Sequence, residues 1–188
     1  MFFELKLKRD VILQPHELKS GMYLTGAVLS KLVEDLNLLK CTEEHGYYVA
    51  ATTLESIGQG RIRSVTGSVV FAVEFNCLVF KPYKGEIVES VVSQITRTGF
   101  EARCGPFESL FVHQKMMEGF EFHEAQSPAF NTFKDSQGTE IQKDTVVRVK
   151  LIALRWDDRE RTYRALATLN DDYMGPVQAF ETGLDLNK

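Results

Sequence analysis

The chain has 188 residues, 44% of them hydrophobic and 26% charged, with a net charge of −4 at pH 7. That length gives room for one large domain or two small ones, each with a real core, and no apolar run approaches the roughly 20 residues of a membrane-spanning helix. Residues 1–80 carry a net −1 and residues 81–188 a net −3, so neither half has the positive field of a charge-driven nucleic-acid binder. Any nucleic-acid contact must be local, modest and sensitive to salt.

Met1 to Lys8 alternates apolar and polar residues and lacks the basic start, apolar stretch and cleavage site of a signal peptide. Phe2 to Leu13 therefore reads as a strand of the mature fold, ended by Gln14-Pro15. From Met22 to Leu39 the period changes: Leu24, Val28, Leu32, Leu36 and Leu39 recur at helical spacing, which predicts an amphipathic helix with one stripe to bury. Strands are expected at Gly46–Leu54, Arg61–Ser64 and Val69–Phe80. The intervening Gly58 to Gly67 has turn chemistry at both ends. It lacks the Gly-Lys-Ser/Thr ending of a phosphate loop and opens no helix, so Gly60, Arg61, Ile62, Arg63 and Gly67 are expected to form a protruding loop that docks on another protein.

Lys81-Pro82-Tyr83-Lys84-Gly85 reads as a junction, because a proline after a long strand breaks one sheet before the next. Beyond it the chain is almost pure β, with strands expected at Glu86–Thr96, Phe100–Cys104, Phe107–His113, Thr145–Arg155 and Thr162–Leu169. Five short strands with an insertion between the third and fourth match the OB pattern. The insertion, Gln114 to Asp144, reads as irregular, with a small hairpin around Asp135 to Gly138. Alternation sends Phe100, Ala102 and Cys104 to one face of their strand, read as core, and Glu101 and Arg103 to the other. Leu110 and Val112 likewise oppose Phe111 and His113, an exposed aromatic beside a histidine, which is what a single-strand binder uses for stacking. Arg97, Arg103 and Lys115 supply nearby positive charge. Arg148 and Lys150 read as a solvated outer face, and Arg155 to Arg161 as a charged hairpin turn that pairs internally rather than binding phosphate, with Trp156 a candidate stacking or partner-facing ring.

Cys41, Cys77 and Cys104 are odd in number and scattered, which argues against disulfides and zinc and for a reducing compartment. The four histidines have no metal-ligand spacing, and no nucleophile motif appears. No catalytic group, metal or cofactor is expected.

Several phrases then carry a family resemblance. Lys84-Gly85-Glu86-Ile87-Val88, Gly99-Phe100-Glu101, Gly105 and Leu110-Phe111-Val112-His113 resemble the S-one-type OB motif. Together with Met1-Phe2-Phe3, Ile57 to Arg63, Val79 to Glu86 and Asp171-Asp172-Tyr173-Met174-Gly175, they resemble the larger stalk subunit of eukaryotic and archaeal RNA polymerases, nearest its polymerase II variant. The resemblance runs from Met1 to about Gly175. It implies an α+β fold: a polymerase-docking tip domain (1–80, antiparallel sheet with a helix), a five-stranded OB barrel for RNA (81–178) and a short tail (179–188). It implies a nuclear, non-catalytic subunit that pairs with the smaller, helical fourth subunit near Val79, Phe80 and Tyr83, docks on the polymerase core and meets nascent single-stranded RNA. The absence of a long charged tail favours polymerase II over another nuclear polymerase, and the tip loop separates it from a free-standing RNA-decay or translation factor. The RNA motif is incomplete: the positions just before Gly99 and two after it, aromatic in strong binders, are Thr98 and Glu101. The expected contact is therefore weak and tolerant of sequence.

Overall fold

The computed structural model describes residues 1–18, 24–124, 131–136 and 138–177, and the chain divides between Pro82 and Tyr83 into two compact units. The expected tail at 179–188, and Met22 at the expected start of the helix, lie outside the described residues.

In the first unit, β1 (Phe2–Leu13) pairs antiparallel along its whole length with β5 (Val69–Phe80). On the other side of β5 runs β3 (Gly46–Ile57), flanked by the short β2 (Cys41–Thr42), and β4 (Arg61–Ile62) pairs with the start of β5. The alternation read from the sequence sorts the faces. Val11, Leu13, Phe71, Val73, Phe75, Cys77 and Val79 point into the core, while Lys6 and Lys8 on the opposite face pair with Glu55 and Glu74. Helix α1 (Leu24–Leu39) lays Ala27, Val28, Leu32 and Leu36 on this core. Each fully buried Val or Leu contributes about 1.5–3 kcal/mol, so this stripe and the sheet beneath it hold the unit together. The stripe is shorter than its period suggests, because Leu24 at the helix start is exposed.

Two strands of the first unit depart from their expected lengths. β3 continues to Ile57 through three register slips against β5, at Tyr48/Ala50, Ala51/Thr53 and Leu54/Ser56. Each slip bends the strand and scrambles its alternation, which hides its end from a period-two reading. β4 stops at Ile62 rather than Ser64 because the chain turns there: the Arg63 N–H donates to the Ser68 carbonyl and the Gly67 N–H to the Arg63 carbonyl, both at 2.8 Å.

In the second unit, β6 (Ile87–Thr96), β7 (Gly99–Cys104) and β8 (Phe107–His113) form consecutive antiparallel pairs. β13 (Thr162–Thr168) runs parallel to β8, and β12 (Val146–Asp157) pairs antiparallel with both β13 and β6. The hydrogen-bonded path β6-β7-β8-β13-β12 thus returns to β6, enclosing Val92, Phe100, Ala102, Leu110, Val112, Val147, Val149 and Ala167. A short β14 (Gly175–Pro176) adds to β12.

The insertion between β8 and β12 is more regular than its sequence suggests. A 3-10 turn (Gln114–Met116) leads into β9 (Phe120–His123), β10 (Thr132–Asp135) and β11 (Glu140–Ile141), which form a separate three-stranded sheet. Phe122, Phe133 and Ile141 lie in register across it, with the two rings 5.5 Å apart and Phe133 and Ile141 fully buried. The hairpin expected near Asp135 is the β10–β11 turn, closed by the Gly138 N–H on the Asp135 carbonyl; Gln137 lies outside the described residues.

Candidate nucleic-acid interface

Gly99 begins the face expected to meet RNA. Its φ is +155°, and a Cβ there would stand 2.1 Å from the Val112 carbonyl oxygen and 3.0 Å from both the Phe111 ring and the His113 Cα. Only glycine lets β7 and β8 close so tightly at this end. The register sets Gly99 opposite His113 and Glu101 opposite Phe111. Leu110 and Val112 point inward and are fully buried, so Phe111 and His113 emerge on the outer face, half-buried, with ring centroids 6.2 Å apart and planes 80° from parallel. Phe100 is wholly in the core, as alternation predicts.

The two rings differ in freedom. The His113 Nδ1 accepts the Lys115 backbone N–H at 3.0 Å and so caps the 3-10 turn that follows β8. His113 therefore has a structural task in addition to any ligand contact. Phe111 is the ring available for stacking, and it neighbours Leu166 of β13 in the parallel register. Glu101, directly across from Phe111, is exposed, and so is Thr98. A carboxylate therefore stands beside the Phe111 ring, where it would repel a phosphate.

The basic residues expected around this face are exposed but not gathered. Arg97 lines a shallow depression with Gln114, Phe122 and the carboxylates of Glu121 and Glu124, which offset its charge. Lys115 lies on the 3-10 turn and Arg103 further along β7. Arg148 pairs with Glu89 at 2.7 Å and Lys150 with Asp171 at 2.7 Å, in keeping with a solvated face. At the β12–β13 turn the Trp156 ring packs edge-on against Tyr163, its indole N–H donating to Asp158. Two backbone N–H groups, of Glu160 and Arg159, hold the Asp157 carboxyl below the usual aspartate range. The Asp157 and Asp158 carboxylates are thus satisfied within the turn, and Trp156 serves it as a structural ring.

On the first unit, Arg61, Ile62, Arg63 and Gly67 stand in solvent with Gly60 at the base of the loop. A Cβ at Gly60 would lie 2.7 Å from the Phe71 ring and 2.8 Å from Val69 Cγ1, so glycine lets the loop leave the sheet over that packing. The tip is more apolar than a reading of its arginines suggests: Ile62 is 74% exposed and Val65, unnoticed in the sequence, is 95% exposed. The signal for Val65 was its β-branched side chain in an otherwise polar turn. The junction needs a correction. Val79 and Phe80 are only 1% and 3% exposed, Val79 in the sheet core and Phe80 between Phe2 and Tyr47, so their side chains serve this chain's own packing. Tyr83, half exposed, is the junction residue whose side chain can reach a partner.

Burial pushes the Cys41 thiol up to about 12 and raises Cys77 and Cys104 as well, so none supplies a thiolate at neutral pH. Among the described residues no cluster of His, Cys, Asp or Glu is arranged to hold a metal ion.

Mostly sheet, with one described α-helix, the chain is an α+β protein. No protein-family model matches it. It is 39% identical over 178 residues to DNA-directed RNA polymerase V subunit 7 of Arabidopsis thaliana, covering 94% of this chain and 98% of the relative. To DNA-directed RNA polymerase II subunit RPB7 of Glycine max it is 37% identical, over 94% of this chain and 97% of the relative. To DNA-directed RNA polymerase IV subunit 7 of Arabidopsis thaliana it is 34% identical, over 94% and 99%. The chain belongs to the subunit 7 family of DNA-directed RNA polymerases.

Proposed function

We propose that this chain is the larger stalk subunit of a nuclear DNA-directed RNA polymerase, acting by binding and without catalysis of its own. The observation that carries this is the identity spread across both units to relatives named as polymerase subunits, at nearly equal lengths. A free-standing RNA-decay or translation factor would need no counterpart of the first unit. Length does not single out polymerase II: the polymerase II, IV and V relatives each align over 97–99% of their own chains. The proposal is therefore a polymerase of the II, IV and V group.

Three surfaces divide the work. The loop carrying Gly60, Arg61, Ile62, Arg63 and Gly67 docks on the polymerase core, with Val65 added to its tip. A smaller helical subunit, the counterpart of the fourth subunit of polymerase II, seats beside the first unit and Tyr83. The second unit is an OB-type barrel, a reading supported by its closed strand path and by the parallel β8–β13 pair. Its outer face, with Arg97, Arg103, Phe111, His113 and Lys115, guides nascent single-stranded RNA weakly and without base preference. Co-expression with the smaller stalk subunit of the same organism, followed by size-exclusion chromatography with light scattering, tests the partner. A 1:1 complex is expected. A well-behaved monomer that ignores the partner would contradict the assignment.

A further inference from the structure

The outer face around Phe111 extends well past the residues already assigned to it. Strand register fixes two parallel rows. In the first, Glu101 of β7 faces Phe111 of β8, Phe111 neighbours Leu166 of β13, and Leu166 faces Ala153 of β12. Two residues along each strand, on the same face, lies the second row. Arg164 of β13 faces Arg155 of β12, and since Leu110 neighbours Ala165, Ser109 stands beside Arg164. The pairs Ala102↔Leu110 and Cys104↔Phe107 bracket Arg103, setting it across from Glu108 and Ser109. Directly opposed residues share a face, so three guanidinium groups run beside an apolar strip.

Exposure agrees with that placement. Arg103, Arg155 and Arg164 are exposed and Phe111 and Leu166 half-buried, while Ala102, Leu110 and Ala165 between them are buried. Arg164 is held in position by Asp157 at 3.2 Å and Glu160 at 3.0 Å. Arg155 lies near enough to the same Asp157 to help lower its carboxyl, and among the described residues no carboxylate stands within salt-bridge distance of Arg103. From β7 to β12 the row crosses three inter-strand gaps, about 14 Å, enough for a few nucleotides.

We propose, resting on the RNA reading above, that single-stranded RNA crosses this face from β7 to β12, with bases over Phe111 and Leu166 and phosphates along Arg103, Arg164 and Arg155. Apolar stacking beside a line of cations is the arrangement that binds a single strand without reading its sequence. Arg155 and Arg164 are thereby ligand contacts on strands not previously assigned one.

The test is fluorescence anisotropy of the full chain with a labelled oligouridine of about 12 nucleotides, matched to an OB site, over a salt series. Arg103→Gln/Arg155→Gln is expected to lower the log-log salt slope by about 1.4, or 0.7 per lost phosphate contact. Arg103→Lys/Arg155→Lys keeps the charges and should keep most of the slope. Lys84→Gln/Lys143→Gln removes the same charge from exposed turns and should leave the slope unchanged. If the arginine-to-glutamine pair, folded by circular dichroism, keeps the parent slope while Phe111→Ala weakens binding about fivefold or more, the cross-strand path is overturned and the RNA reading stands. An equal fall in the two glutamine pairs would reduce the effect to bulk charge and overturn the path as well. A parent that binds no oligouridine overturns both.

Discussion

Gly99 illustrates how a single position sets the geometry of a whole face. Its neighbours leave no space for a methyl group on the Val112 carbonyl, and its φ lies where L side chains are strained. Gly99→Ala is expected to destabilise the protein by more than about 1 kcal/mol, measured as a lower urea midpoint at unchanged m-value. An unshifted midpoint would mean that the β7–β8 closure is looser than described. The neighbouring His113 was legible in the sequence as an outward residue beside Phe111, and it does face outward. Its cap on the 3-10 turn was not legible, because it depends on where the chain goes after β8. Loss of a cap costs on the order of 1 kcal/mol, so an RNA effect at His113 must be read against stability, and Phe111 is the cleaner probe. Val79 and Phe80 carried the opposite lesson. Apolar residues at the end of a strand can face a partner or the strand's own sheet, and only the pairing of β5 between β1 and β3 decides for the sheet.

At the scale of elements, the regular strands and the helix followed from periodicity, since β1, β5 and α1 each bury one clean face. Periodicity failed where register slipped, as in β3, and where strands were too short to show a period, as in β2, β11 and β14. The insertion's sheet is built from pairs distant in sequence, and the apolar residues Phe122, Phe133 and Ile141 become a pattern only once aligned across strands. The tip loop shows both sides of this. Its glycines and arginines marked a projection, but the apolar character of the tip emerges from the exposure of Ile62 and Val65 together. A loop fixed by its own backbone hydrogen bonds and carrying few core contacts tolerates surface change. Val65→Asp combined with Arg61→Glu and Arg63→Glu should therefore leave the thermal midpoint nearly unchanged while weakening association with stalk-depleted polymerase core by at least tenfold, read by quantitative co-sedimentation. Unchanged core binding would move the anchor to another part of the first unit.

At the scale of the whole molecule, the two units carry different kinds of surface on one acidic chain. The first exposes apolar groups on strand, helix and loop, including Phe2, Val33, Leu38, Ile62 and Val65. The second is closed on itself and bears a mixed aromatic and basic face. That contrast fits a protein held in place by the first unit while the second meets a weakly bound, passing ligand. The near-full-length identity to subunits of polymerases II, IV and V gives the contrast its setting. The most direct measurement is affinity capture of the tagged full-length chain from extract of its own organism, with the co-purifying chains identified and quantified by mass spectrometry. The account predicts the smaller stalk subunit at near-equal amount together with polymerase core subunits, whose largest member identifies the enzyme as polymerase II, IV or V. Recovery of the chain alone, or with RNA-decay or translation proteins and no polymerase subunit, would contradict it.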